Sequence, residues 1–171
     1  MKSLIIALFV IFFQFRFYSV TAQSSATVSR KEIGTLIGIW QGALTYLDYT
    51  SNKPFTMPAD IEIKQIEGTN KFLFFNSYPN EPNANSVDTI ILSEDGKTFN
   101  DESVKSKRIM AGGGLEIITE LSGEDGNENK PALIRHTYLI FENIFTIIKD
   151  IQFLGQKEWI KRHEYNYKKK L

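Results

Sequence analysis

From Leu36 to the C-terminus, apolar residues recur at every second position, and no long stretch repeats them at helical spacing. Alternation of this kind gives an extended chain one apolar and one polar face, which predicts half-buried β-strands. The strand segments are Leu36 to Asp48, Ile61 to Gln65, Phe72 to Phe75, Val87 to Leu92, Val104 to Met110 and Leu115 to Leu121. A short strand is expected at Lys97 to Asn100, and three long ones at Ala132 to Phe141, Ile144 to Phe153 and Lys157 to Tyr167. Gly, Pro, Asn and Asp concentrate between them, as turns require. Thr50 to Pro58 reads as a loop. Gly112-Gly113-Gly114 reads as a bulge or turn, since no Lys-Ser/Thr follows it to make a phosphate loop. Short connections make neighbouring strands antiparallel. The chain is therefore all-β, an antiparallel meander of about eight to ten strands. A sheet of that size closes or splits, because open edges recruit other chains; closure into a barrel is the expectation here. No internal repeat or second domain is evident.

The N-terminus has a different character. Lys2 precedes an apolar run from Leu4 to Phe15, broken only by Gln14, and Val20-Thr21-Ala22 offers small residues for cleavage. This is the pattern of a secretory signal peptide over residues 1–22, cut before Gln23. The run falls short of the about 20 apolar residues a spanning helix needs, and Arg16 ends it. No stable membrane anchor is expected after cleavage, and the protein is expected to be secreted or periplasmic. Residues 23–33 read as a leader, flexible to Val28, and a short helical turn. There Ser29 and Glu32 stand three apart as a capping box, and Gly34 ends the turn. The barrel domain is 34–171.

Charge and cysteine content narrow the function classes. Lys plus Arg number 20 and Asp plus Glu number 20, a net charge of zero. That argues against a nucleic-acid partner, which needs a concentrated basic surface. Lys168, Lys169 and Lys170 read as a solvated tail. There is no cysteine, which excludes disulfides, thiol catalysis, cysteine metal sites and a lipoprotein anchor. A secreted domain without disulfides must rest on its hydrophobic core.

The first strand carries Gly38-Ile39-Trp40-Gln41-Gly42. This Gly-x-Trp, after a short helical turn and at the head of a meander, resembles the lipocalin/calycin superfamily. The resemblance implies that Trp40 closes one barrel end and packs against a basic residue of the last strand, matched here by Arg162 or Lys161. It also implies an interior able to hold a small hydrophobic molecule. The chain departs from the pattern in two places. Thr50 to Pro58 is too short for the helical portal of fatty-acid-binding proteins, and the cysteines of many secreted lipocalins are missing. Independently of any family, an indole needs burial, and glycines beside it let another backbone approach.

Residues expected around a ligand are Leu44 and Tyr46, in phase with Trp40; Phe74, in phase with Phe72, the other face of that strand offering Leu73 and Phe75 instead; His136 and Tyr138, on one face with Ile134 and Ile140; and Phe145, in phase with Ile147, Lys149 and Ile151. Gly38, Trp40 and Arg162 are assigned to barrel closure. The bland alternative is that these side chains simply fill the interior. Haem-binding calycins resemble the Gly-x-Trp-x-Gly segment and use a late histidine, here His163; but a further glycine of that motif is Leu44, and His163 reads as an exposed residue between Arg162 and Glu164. Asp125 to Lys130 has partial calcium-loop spacing, but Lys130 occupies the bend position that needs Gly, so it reads as a hairpin loop. No cofactor or metal is expected.

Catalytic motifs are missing: no Gly-x-Ser-x-Gly elbow and no His-Glu-x-x-His helix. Asp48, Asp60, Glu62 and Asp150 are not brought together by spacing. Three roles remain: a secreted binding protein for a small hydrophobic molecule, a filled barrel serving as an envelope interaction or structural module, and, least supported, a barrel enzyme. A cavity would favour the first, and a His–carboxylate pair converging in it would revive the third.

Overall fold

The structure is a computed structural model that describes residues 26–170 apart from 49, 50 and 52. The proposed signal peptide lies outside the described residues. Ten strands form one antiparallel sheet. They are β1 (Gly38–Asp48), β2 (Lys53–Gln65), β3 (Lys71–Ser77), β4 (Ser86–Ile91), β5 (Thr98–Phe99), β6 (Glu102–Ile109), β7 (Leu115–Asp125), β8 (Lys130–Ile140), β9 (Ile144–Phe153) and β10 (Ile160–Lys169). The order β4-β3-β2-β1-β10-β9-β8-β7-β6-β5 is a meander whose first and last strands meet. β10 returns to pair with β1, and the two sheet edges, β4 and β5, approach through a Leu92–Phe99 bridge and an Asn100 N–H donated to Ile91 O at 2.8 Å. The expected antiparallel barrel is thus present and nearly closed. Its seam lies between β4 and β5–β6.

One end is plugged. The helix α1 (Arg30–Gly34) starts at the expected capping box: Glu32 N–H donates to Ser29 Oγ, and Ser29 N–H donates to the Glu32 carboxylate at 2.7 Å. It drives Ile33 and Leu36 into the barrel mouth, both fully buried with Trp40 and Phe72. The end of the leader is not free, as had been expected: Val28 is buried and its N–H donates to Gly96 O at 2.9 Å. Gly96 has φ +69°, and a Cβ there would stand 2.3 Å from Val28 O, so the turn before β5 requires glycine to receive the leader.

The interior alternation follows the sequence. Met57, Ala59, Ile61 and Ile63 of β2 are buried, and Phe72 and Phe74, not Leu73 and Phe75, are the buried pair of β3. β8 directs Ile134, Tyr138 and Ile140 to the core, opposite Ile151, Ile147 and Phe145 of β9.

Two segments differ from expectation. The supposed loop Thr50 to Pro58 is largely strand, because β2 begins at Lys53 and pairs with β1 in unbroken register from Lys53↔Asp48 to Ile63↔Gly38. Pro54 and Pro58 are tolerated because β3 pairs only with residues Asp60 to Gln65, so the proline stretch is an edge that needs no second ladder. At the C-terminus, the lysines are not a free tail: β10 runs through Lys169, paired with Trp40.

Candidate functional site: a polar layer inside the barrel

Trp40 is fully buried, its indole N–H donates to Leu36 O at 2.8 Å, and its ring meets Phe145 edge-on at 5.8 Å between centroids. The basic residue over the indole is Lys169, its Nζ 5.1 Å from the ring centroid. The expectation of Arg162 or Lys161 is corrected by register, since Trp40 stands opposite Lys169 and the 161–163 end of β10 lies at the other end of the barrel, beside Tyr46. Gly42 lets β10 come close: a Cβ there would lie 2.0 Å from Asn166 O. Gly38 sits beside this closure with φ +135° and its missing Cβ 3.3 Å from Lys169 Cε.

Beyond this plug, polar side chains cross the interior. The hairpin joining β5 to β6 turns in two residues, Asn100 and Asp101, with φ +54° and +62°. This mirror-image turn suits the twist of the strands. It sets Glu102 directly opposite Phe99, both buried. The buried Glu102 carboxylate accepts from the Thr119 hydroxyl of β7 and from His136 Nδ1 of β8, whose distances to the two carboxylate oxygens are 2.8 and 2.9 Å. Thr119 and His136 are register partners, so the strand pairing itself assembles the cluster. The Tyr138 phenol, on the same face, has its pKa pushed up, first by burial and then by the charge of Glu102.

β10 adds His163. The pairing shifts from Lys161↔Asp150 to His163↔Lys149, so Arg162 is an extra residue in a β-bulge. The bulge lets Arg162 and His163 both turn inside. Arg162 Nε donates to Asp125 at 2.7 Å, and Lys149 Nζ donates to the other Asp125 oxygen at 2.7 Å. Arg162 therefore neutralises a buried carboxylate of β7 at the far end of the barrel; it does not close the Trp40 end. His163, expected to be exposed, is mostly buried, with its ring 6.4 Å from His136 and 5.3 Å from Tyr165. Burial, reinforced by nearby His136 and Lys149, pushes its pKa down to about 4, against a smaller opposing pull from Asp125. His163 is thus neutral at physiological pH.

Between the plug and this polar layer lies a cavity of about 190 Å³. Phe74, Phe99, Tyr138 and Tyr167 supply aromatic walls, and His136 and His163 supply polar ones. It abuts the seam, with exposed Ser86 and Asp88 of β4 on one side and Glu102 on the other. Tyr78, after β3, reaches across to donate to or accept from the Tyr165 hydroxyl at 2.9 Å, and its backbone N–H is held by Asn85 Oδ1 at 2.7 Å.

Of the residues expected at a ligand, Phe74, His136 and Tyr138 border the cavity. Leu44 lies on the same strand face, between Met57 and Tyr165, and Tyr46 packs on Phe55 nearer the far rim. Phe145 is spent inside the plug, stacked on Tyr167 and edge-on to Trp40. Glu102, Thr119 and Tyr165 escaped sequence reasoning. Thr119 did leave a trace, as the polar residue in the inward phase of Leu115, Ile117 and Leu121; Glu102 left none. Asp125 binds the Lys149 and Arg162 cations, which gives its loop a structural reason unrelated to calcium. Among the described residues, no three His, Asp or Glu side chains are grouped to hold a metal ion. The cavity falls below the about 300–1,000 Å³ of ordinary small-molecule and cofactor sites.

No protein-family model matches the chain, and no curated protein matches it. Among solved structures it is similar to Rv2717c from M. tuberculosis, with 10% sequence identity and a TM-score of 0.51, over 85% of this chain and all of that one. A protein of unknown function of the DUF3598 family from Nostoc punctiforme is matched at 9% identity and a TM-score of 0.41, over 84% of this chain and 50% of that one. At such identities the first likeness concerns the fold alone. The described chain is a nearly closed, ten-stranded antiparallel barrel.

Proposed function

We propose that this is a secreted, lipocalin-like protein that binds a small, largely apolar molecule inside its barrel. The observation that carries the reading is the cavity of about 190 Å³ between the Trp40 plug and the Glu102–His136 pair. An apolar cavity of about 150 Å³ in another protein suffices for benzene, so the volume suits a single ring or a short branched chain. Aromatic walls supply apolar contact, and a few polar groups fix orientation, the usual division of labour in ligand sites. The alternative, an envelope module without a ligand, draws on the filled half of the interior around Trp40, Phe72 and Phe145.

Native mass spectrometry of protein purified from its own source separates the two. A co-purifying small molecule, lost when Ile147→Trp fills the cavity, is the expected result. A ligand-free protein from that source, with Ile147→Trp more stable than wild type, would favour the filled module.

A further inference from the structure

We infer that the molecule taken into this cavity is a neutral single-ring compound bearing a hydroxyl, which hydrogen-bonds to Nε2 of His136. The inference rests on the ligand-binding reading above and specifies its ligand.

Hydrogen bonding fixes the tautomer. Glu102 is acceptor-only when ionised, and both its oxygens lie within 2.9 Å of His136 Nδ1, so the imidazole proton sits on Nδ1. Nε2 has no hydrogen-bond partner among the described residues, although His136 borders the cavity. Thr119 donates to the same carboxylate and fixes its orientation. His163, neutral and without a hydrogen bond among the described residues, borders the same space. Both imidazoles therefore keep a ring nitrogen without a protein partner among the described residues.

Charge excludes the other ligand classes. Asp88 and Glu102 border the cavity, and no Lys or Arg does, so a carboxylate or phosphate would enter against like charge. The acidic groups do not call for a cation either. Glu102 is engaged by Thr119 and His136, and Asp88 accepts from Asn76 Nδ2 at 2.7 Å. What remains is an unpartnered imidazole nitrogen among flat aromatic walls in a one-ring volume, which a phenol-type hydroxyl, able to donate or to accept, matches.

Calorimetric titration of the full chain at pH 7.5 with phenol, benzene and benzoate tests this. Phenol is expected to bind about tenfold tighter than benzene, the effect of one added hydrogen bond, and benzoate not measurably. His136→Phe should remove the preference for phenol while leaving benzene binding. Nitrogen NMR of the wild-type imidazoles gives a readout independent of any variant: the free protein should show His136 protonated on Nδ1, with the Nε2 resonance moving on phenol addition. Benzene binding as tightly as phenol, or a proton found on Nε2 alone, would overturn the inference and leave the cavity reading standing. Failure of both rings to bind would overturn the inference and count against the ligand-binding reading as well.

Discussion

Acidification from pH 7 to pH 4 should destabilise this barrel through His163 in particular. In the unfolded chain His163 titrates near 6.5, and in the native barrel burial lowers that to about 4. Above pH 6.5 both states hold the neutral ring, and the histidine does not affect stability. Between the two values the unfolded state binds a proton that the native state refuses, so stability falls as pH falls. Below about 4 both states are protonated and the loss is complete. At about 1.4 kcal/mol for each pH unit, the full loss is about 3 kcal/mol, a large part of the about 5–15 kcal/mol that holds ordinary domains together. Carboxylates such as Glu164, held low by hydrogen bonds from Lys161 and Asn166, also lose stabilisation on acidification, toward the lower end of the range. A difference measurement isolates the histidine. Urea unfolding of wild type and His163→Gln at several pH values from 7.5 to 4.5 should show the wild type losing about 2–3 kcal/mol more than the variant. The groups facing the ring, His136, Lys149 and Asp125, are present in both proteins. Parallel pH profiles would refute the claim that His163 is buried and neutral.

Other tests address the frame. Trp40→Ala removes a fully buried indole and strands the Leu36 carbonyl, so it should lower stability by about 3–5 kcal/mol and the thermal midpoint by roughly 6–20 °C; a melt barely altered would show that the indole is not part of the core. Gly42→Ala would force a methyl to within 2.0 Å of Asn166 O and should cost at least about 1–3 kcal/mol in denaturant unfolding. Gly34→Ala, with nothing within 4 Å, should be neutral or slightly stabilising, and equal effects at the two glycines would contradict the close approach of β1 and β10. Secretion predicts a mature chain beginning at Gln23, which intact-mass measurement on protein from the source organism checks; retention of Met1 would refute it.

Period-two patterning alone determined that the chain is all-β, because only an extended strand puts every second side chain on one face. It also determined which residues share a face: Phe145, Ile147 and Ile151 keep one phase whatever the strand pairs with. The capping box at Ser29 was legible for a similar reason, since its partners lie three residues apart and no tertiary contact is needed to form it. Long-range register is another matter. Trp40 called for a cation from the last strand, but only the β1–β10 pairing could choose Lys169 over Arg162. His163 faces inward in simple alternation with Tyr165 and Tyr167, whereas the bulge acts on Arg162, the extra residue that turns inside beside it and that alternation alone would have placed outside. The Glu102–Thr119–His136 cluster draws on three strands, and its members lie 17 and 34 residues apart in the chain. Local sequence carries no record of such a distance, so only the pairing of β6, β7 and β8 could place an acid, an alcohol and an imidazole at one wall of the cavity.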